Sequence, residues 1–140
     1  MTKINTIITG HGNFASGIGS SLKLLSGEHD EITLVDFIES MSELDLGEKL
    51  ANSLQQDIPA LYFTDLAGGT PFKEAIKISI DKPDVEVVSG CNLAALLETM
   101  FNDYDNVQAY AKDLVEITKK TADLADFSTD IEEENIEDGI

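Results

Sequence analysis

Arginine is absent from this chain of 140 residues: all nine cations are lysines, set against 27 Asp and Glu for a formal net charge of -18. Without a guanidinium there is no bidentate clamp for an anion, which would have to be held by backbone amides, hydroxyls or Lys. The shortage of positive charge also excludes nucleic acid and anionic lipid surfaces as partners, and it steers a basic protein face toward the chain. Cysteine occurs once, at Cys91, so no internal disulfide forms and nothing calls for an oxidising compartment. Long apolar runs are missing too. The opening segment, Met1 to Thr9, is interrupted by Asn5 and Thr6 and does not read as a signal peptide or a membrane span. A cytoplasmic protein is expected.

What is present suits one folded domain. Hydrophobic residues make up 42% and charged residues 26% of the chain, a globular balance, and the length suffices to bury about two-thirds of the surface that an unfolded chain exposes. From Asp126 onward the acids Asp126, Asp130, Glu132, Glu133, Glu134, Glu137 and Asp138 occur with no cation among them. We therefore expect a domain over residues 1–125 and a solvated acidic tail over 126–140. The domain itself is still acidic, with more than twice as many carboxylates as lysines.

Strand and helix patterns alternate along the domain. Ile4 to Thr9 is a short β-branched run that reads as a buried strand ending at Gly10. Ala15 to Ser26 carries Ile18, Leu22 and Leu25 at helical spacing, with Gly27 placed to stop the helix. Glu31 to Phe37 reads as a second strand. Leu46, Leu50 and Leu54 recur every four residues from a start near Ser42, a second helix with Gly47 as a weak spot. Ala60 to Thr64 is a third strand after Pro59. Thr70 and Pro71 resemble an N-cap and first-turn pair opening a helix to about Ile80. Val85 to Ser89 is a fourth strand, with helices following from Leu93 to Phe101 and from Asn106 into the 120s. Strands separated by such helices require βαβ crossovers, hence an α/β, doubly wound parallel sheet with helices on both faces. The pattern leaves the strand order open; 2-1-3-4 is the common small solution.

In open α/β sheets ligands bind beyond the carboxyl ends of the strands. His11 stands there between Gly10 and Gly12, open to another molecule. Asp65 ends the third strand, and if strands one and three are neighbours its carboxylate would accept a hydrogen bond from His11 Nδ1–H. That bond selects the tautomer whose Nε2 lone pair points outward as a nucleophile. Gly68, Gly69 and Thr70 precede a helix whose first amides lack internal partners, so those amides and the Thr70 hydroxyl make an anion cradle. An imidazole nucleophile beside an anion cradle suggests a phosphoryl group carried on His11. No cofactor or metal is implied, since the only other histidine, His29, lies in the charged connection before the second strand.

Each of these residues also has a plainer reading. His11 also reads as a turn residue next to glycine, Asp65 as a turn or cap residue, and Gly68-Gly69-Thr70-Pro71 as turn punctuation and a cap. Cys91 reads as a small residue near the crevice with no base beside it. His29, Asp36 and the lysines default to solvated surface.

Taken together, three segments carry a resemblance: GHGNFASG at Gly10 to Gly17, DLAGGTPF at Asp65 to Phe72 and SGCNLAALLE at Ser89 to Glu98. In this order and at these strand ends, across about residues 1 to 120, the chain resembles the IIA component of the mannose family of the bacterial phosphoenolpyruvate-dependent sugar phosphotransferase system. The resemblance implies that His11 accepts a phosphoryl group from the phosphocarrier HPr and passes it to a IIB component, which serves a membrane IIC/IID complex. It also implies that Asp65 orients the ring and that Gly69 and Thr70 bind the phosphoryl group. Thr70 stands where many members have Ser and keeps the hydroxyl; Leu66 and Ala67 replace larger or more polar residues of some relatives. Phe14, Ala15 and Ser16 most resemble the branch serving N-acetylgalactosamine. The family further implies a homodimer that exchanges a C-terminal antiparallel edge strand, for which Asp123 to Asp130 is the candidate segment. Because this chain is acidic, HPr and IIB are expected to present basic faces. Two rivals stand beside this reading. One is the phosphotransfer subunit that feeds dihydroxyacetone kinase, whose second motif typically lacks Gly-Gly-Thr/Ser-Pro. The other is a non-catalytic flavodoxin-like binding module.

Overall fold

Alternating apolar strands and amphipathic helices leave little choice of architecture, because each strand buries both faces only when helices cover the sheet above and below. A computed structural model describes residues 3–127. Its elements in chain order are β1 (Asn5–His11), α1 (Phe14–Ser26), β2 (Ile32–Phe37), α2 (Glu43–Asn52), β3 (Ala60–Thr64), α3 (Thr70–Ser79), β4 (Val85–Val88), α4 (Leu93–Thr99) and α5 (Val107–Thr121). All the strands are parallel, in the order β2-β1-β3-β4. This is the expected doubly wound α/β fold.

Side chains alternate across the sheet and divide the core in two. Ile8, Leu61 and Phe63 face α1, α4 and α5, where Leu22, Leu96, Tyr110 and Leu114 pack on them. Ile7, Tyr62 and Val35 face the other way, onto Leu46 and Leu50 of α2 and Ala75 of α3. The central strands β1 and β3 are buried throughout, apart from the exposed His11 at the end of β1. By the same alternation His11 shares its face with Ile7 and so projects toward the α2 and α3 layer.

Local chemistry sets most helix starts. Ser42 and Asp45 form a reciprocal capping box at α2, and Asn92 and Asn106 accept from the amides of Ala95 and Ala109 at α4 and α5. Two details depart from the sequence reading. Thr70 is not an N-cap but the first helical residue of α3, with Gly69 as the cap and Pro71 in the first turn, where a missing N–H costs nothing. Leu54 lies beyond the end of α2, although it still packs against the core under that helix, and α2 runs unbroken through Gly47. Asn13 leaves α1 uncapped by its own side chain; Asp36, from the end of β2, accepts from the Ser16 amide at 2.9 Å instead.

Residues 123–127, the described part of the segment proposed for strand exchange, form no strand; 128–130 and most of the acidic tail lie outside the described residues. Among the described residues no helix is long and apolar enough to cross a membrane.

Leu50 is fully buried between α2 and the sheet, whereas Leu24 of α1 is 87% exposed. Leu50→Ala should destabilise the fold by about 2–5 kcal/mol through lost burial and a residual cavity, while Leu24→Ala stays within about 0.5 kcal/mol of the parent. Urea unfolding of the two variants checks the contrast.

Candidate active site

The site begins with strand register. Thr9 pairs with Thr64 across β1 and β3, and the Asp65 amide donates to Thr9 O at 3.1 Å, so the two strands end level and their next residues emerge side by side. On the other flank Gly12 N–H donates to Phe37 O at 2.7 Å, tying the turn after β1 to the end of β2. Gly10 is what lets the carboxylate approach. A Cβ there would fall 2.9 Å from Asp65 Cβ and 2.7 Å from the Phe14 ring, closer than packed carbons allow.

His11 and Asp65 then meet twice. The backbone N–H of His11 donates to Asp65 Oδ2 at 2.9 Å, and ring Nδ1–H donates to the same oxygen at 2.8 Å. The Leu66 amide donates to Oδ1 at 2.9 Å. Burial pushes the Asp65 carboxyl up, but these N–H donors and the nearby imidazole outweigh it and hold the group below its ordinary 3.8. The carboxylate is therefore an acceptor only, which fixes a proton on ring Nδ1, so that in the neutral ring the lone pair falls on Nε2. Exposure divides the roles: the Asp65 side chain is 9% exposed and the His11 side chain 46%. One group is a fixed support and the other is reachable. Phe37 stands beside the imidazole, ring centroids 6.0 Å apart.

The opening of α3 lies against that ring. A Cβ on Gly69 would fall 2.6 Å from His11 Cε1 and 3.3 Å from Nε2, so only glycine lets the helix start sit on this edge of the ring. No side chain caps α3, and its first amides carry the partial positive charge of a helix N-terminus. Thr70 Oγ1 is turned to Glu43 Oε1, at 3.5 Å, the long limit of a hydrogen bond.

The four residues singled out from sequence thus converge, His11 against Asp65 on one side and against the Gly69–Thr70 helix start on the other. Cys91 is close by, its amide donating to Thr64 O. Burial, with the Asp65 carboxylate adding to it, pushes its thiol up to about 12, and it is no nucleophile at neutral pH. His29 is not the solvated residue that sequence suggested. It is clamped between Ser26 Oγ at 3.0 Å and Glu31 Oε1 at 3.3 Å, with only 15% of the side chain exposed. Asp36 is not free surface either, being the cap of α1. Register held the clue to it, since Asp36 pairs with Gly10 on the adjacent strand, one residue before His11. A cavity of about 230 Å³ opens at the opposite end of the sheet, between Thr6, Glu31, Met100 and Tyr110, away from this chemistry. Among the described residues no cluster of three or more His, Cys, Asp or Glu gathers in a metal-binding arrangement.

The sequence and the fold have counterparts among known proteins. A family model, EIIA-man, described as PTS system fructose IIA component, matches residues 5–119. The PTS system fructose-specific EIIA component of Bacillus subtilis is 32% identical over 101 residues, covering 69% of this chain and 68% of that one. The PTS system mannose-specific EIIAB component of Escherichia coli is 31% identical over 100 residues; the match covers 69% of this chain but only 31% of that longer relative. Among solved structures, the mannose/sorbose specific IIA subunit of the phosphotransferase system from Enterococcus faecalis superposes with a TM-score of 0.84 at 28% identity, covering 91% of this chain and 98% of its own.

Two outcomes follow from the geometry alone. Gly69→Ala should leave the unfolding midpoint almost unchanged while displacing the His11 ring, read as shifts of its imidazole NMR signals. Because folding lowers the Asp65 pKa, its contribution to stability is whole above the unfolded value and is lost as pH falls through the folded one. Urea stability of the parent should therefore fall more steeply than that of Asp65→Asn between about pH 5 and about pH 2.

Proposed function

The chain belongs to the EIIA-man family of phosphotransferase system components, and we propose that it works as a phosphoryl carrier, taking the group from HPr onto His11 Nε2 and handing it to a IIB component. The observation that carries this reading is the 2.8 Å bond between His11 Nδ1–H and the Asp65 carboxylate, which orients a half-exposed ring and keeps Nε2 out of that bond.

In the forward step the Nε2 lone pair attacks the phosphorus of phosphohistidine on HPr. The N–P bond of the donor breaks with its electron pair returning to the donor imidazole, and a new Nε2–P bond forms. The proton on Nδ1 stays where it is, and the Asp65 carboxylate balances the positive charge that develops on the ring. Such a transfer needs alignment and charge stabilisation more than acid–base chemistry. The Gly69 and Thr70 amides and the Thr70 hydroxyl are the donors for the phosphoryl oxygens, a use to which an uncapped helix start is suited. The reverse geometry serves discharge to IIB, and through it the membrane IIC/IID complex.

An exposed nucleophile at a strand end suits exchange with another protein. The longer relative is named an EIIAB component, which supports a IIB acceptor, and relatives named for fructose and for mannose agree with a domain that handles a phosphoryl group and not the sugar. The reading places the protein in the cytoplasm. It also carries a homodimer, for which β4 has one edge paired to β3 and the other open among the described residues.

Incubation with phosphoenolpyruvate, Enzyme I and HPr should yield an acid-labile, alkali-stable phosphate detected by intact mass. His11→Ala abolishes it. Asp65→Asn slows it about a hundredfold by misaligning the ring while the fold is retained. Labelling that survives His11→Ala assigns the acceptor elsewhere; no labelling with competent donors points to a binding module.

A further inference from the structure

Thr70 Oγ1, the side-chain donor assigned to the phosphoryl group, is turned to a carboxylate. Glu43, the first residue of α2, accepts from it at 3.5 Å. Thr70 directly follows Gly69, where an added Cβ would fall 2.6 Å from His11 Cε1 and 3.3 Å from Nε2. A negative charge therefore stands within one side chain of the place where the phosphoryl group is to form. We propose that Glu43 sets the transfer potential of the site, raising the free energy of phosphorylated His11 by repelling the group and by competing for the Thr70 hydroxyl, so that the group is readily passed on. This inference rests on the carrier function proposed above.

Three observations single Glu43 out from an ordinary first-turn acid. The start of α2 is already capped, with Ser42 and Asp45 satisfying each other's backbone N–H at 3.0 Å, so Glu43 is not needed as a cap. No cation among the described residues forms an ion pair with it. Lys77, which feels its field, is held in an ion pair by Glu74 at 2.8 Å and closes none on Glu43. With no arginine in the chain, nothing near α3 offsets it by a guanidinium. Glu43 neither takes nor gives a proton or a phosphoryl group; it acts through charge and through Thr70, as a positioning residue.

The quantity that reads this is the equilibrium phospho-HPr plus chain ⇌ HPr plus phospho-chain, measured as the ratio of phosphorylated masses at low salt. Glu43→Gln preserves size and hydrogen bonding but removes the charge. It should shift the ratio toward the phosphorylated chain by about three- to tenfold, the scale for like charges several ångströms apart at a surface, and the shift should shrink at high salt. Discharge to IIB should slow in step. In a Thr70→Val background the Glu43→Gln shift should be smaller, because the competition for the hydroxyl is gone. An unchanged or reversed ratio in Glu43→Gln, with His11 still labelled, overturns the inference and leaves the carrier function standing. Absence of label from parent and variant alike overturns the carrier function itself.

Discussion

Everything at this site hangs on the register of two parallel strands. β1 and β3 pair Thr9 with Thr64, and that pairing alone brings a ring and a carboxylate 54 residues apart in sequence to hydrogen-bond distance. A slip of one residue would turn His11 to the opposite face, away from α3, since side chains alternate along a strand. The register is in turn fixed by the packing beneath it. Ile7 and Tyr62 fill one core and Ile8 and Phe63 the other, all fully buried, so a shift would carry each apolar side chain into the wrong layer.

The electrostatics follow from the same placement. Asp65 ends its strand under a cover that excludes most water, which by itself would favour the neutral acid, yet three N–H groups aim at its oxygens and hold it ionised. An ionised, immobile carboxylate is what makes one imidazole tautomer the only choice. Across the ring, the start of α3 supplies the opposite sign: a partial positive charge from unpartnered amides. The ring thus lies between a full negative charge on its Nδ1 side and a fractional positive one on its Nε2 side. Glu43 is the dissenting charge in this arrangement, and the strongly acidic composition of the chain makes its presence near the helix start a property of the surface as a whole.

Glycine has a positional role here that is separate from backbone flexibility. Gly10 and Gly69 both occupy places where a β-carbon would lie within 3 Å of a site atom, Asp65 Cβ in one case and His11 Cε1 in the other. Removing a single methyl group at each lets strand ends and helix start close around the imidazole. Gly-rich segments beside a strand end are readable as turns from sequence, but the side chain that each one makes room for is visible only once the elements are packed.

From composition and periodicity alone come the α/β class, the alternation of elements and the four candidate residues, because those depend on local propensity, burial pattern and strand ends. Motif resemblance added the family. Strand neighbours, and with them the meeting of His11 and Asp65, belong to the tertiary structure, since a parallel pairing joins segments that share no local signal. So does the capping of α1 by Asp36, where a residue from β2 replaces the silent Asn13, and the clamp on His29 between Ser26 and Glu31. The shift of the α3 cap from Thr70 to Gly69 has a similar origin: a Thr before Pro suits either position, and contact of Gly69 with the imidazole and of Thr70 with Glu43 marks where the helix begins. Local sequence determines what each segment can be, and packing decides which side chains meet, because their encounter is a matter of distance in space and not along the chain.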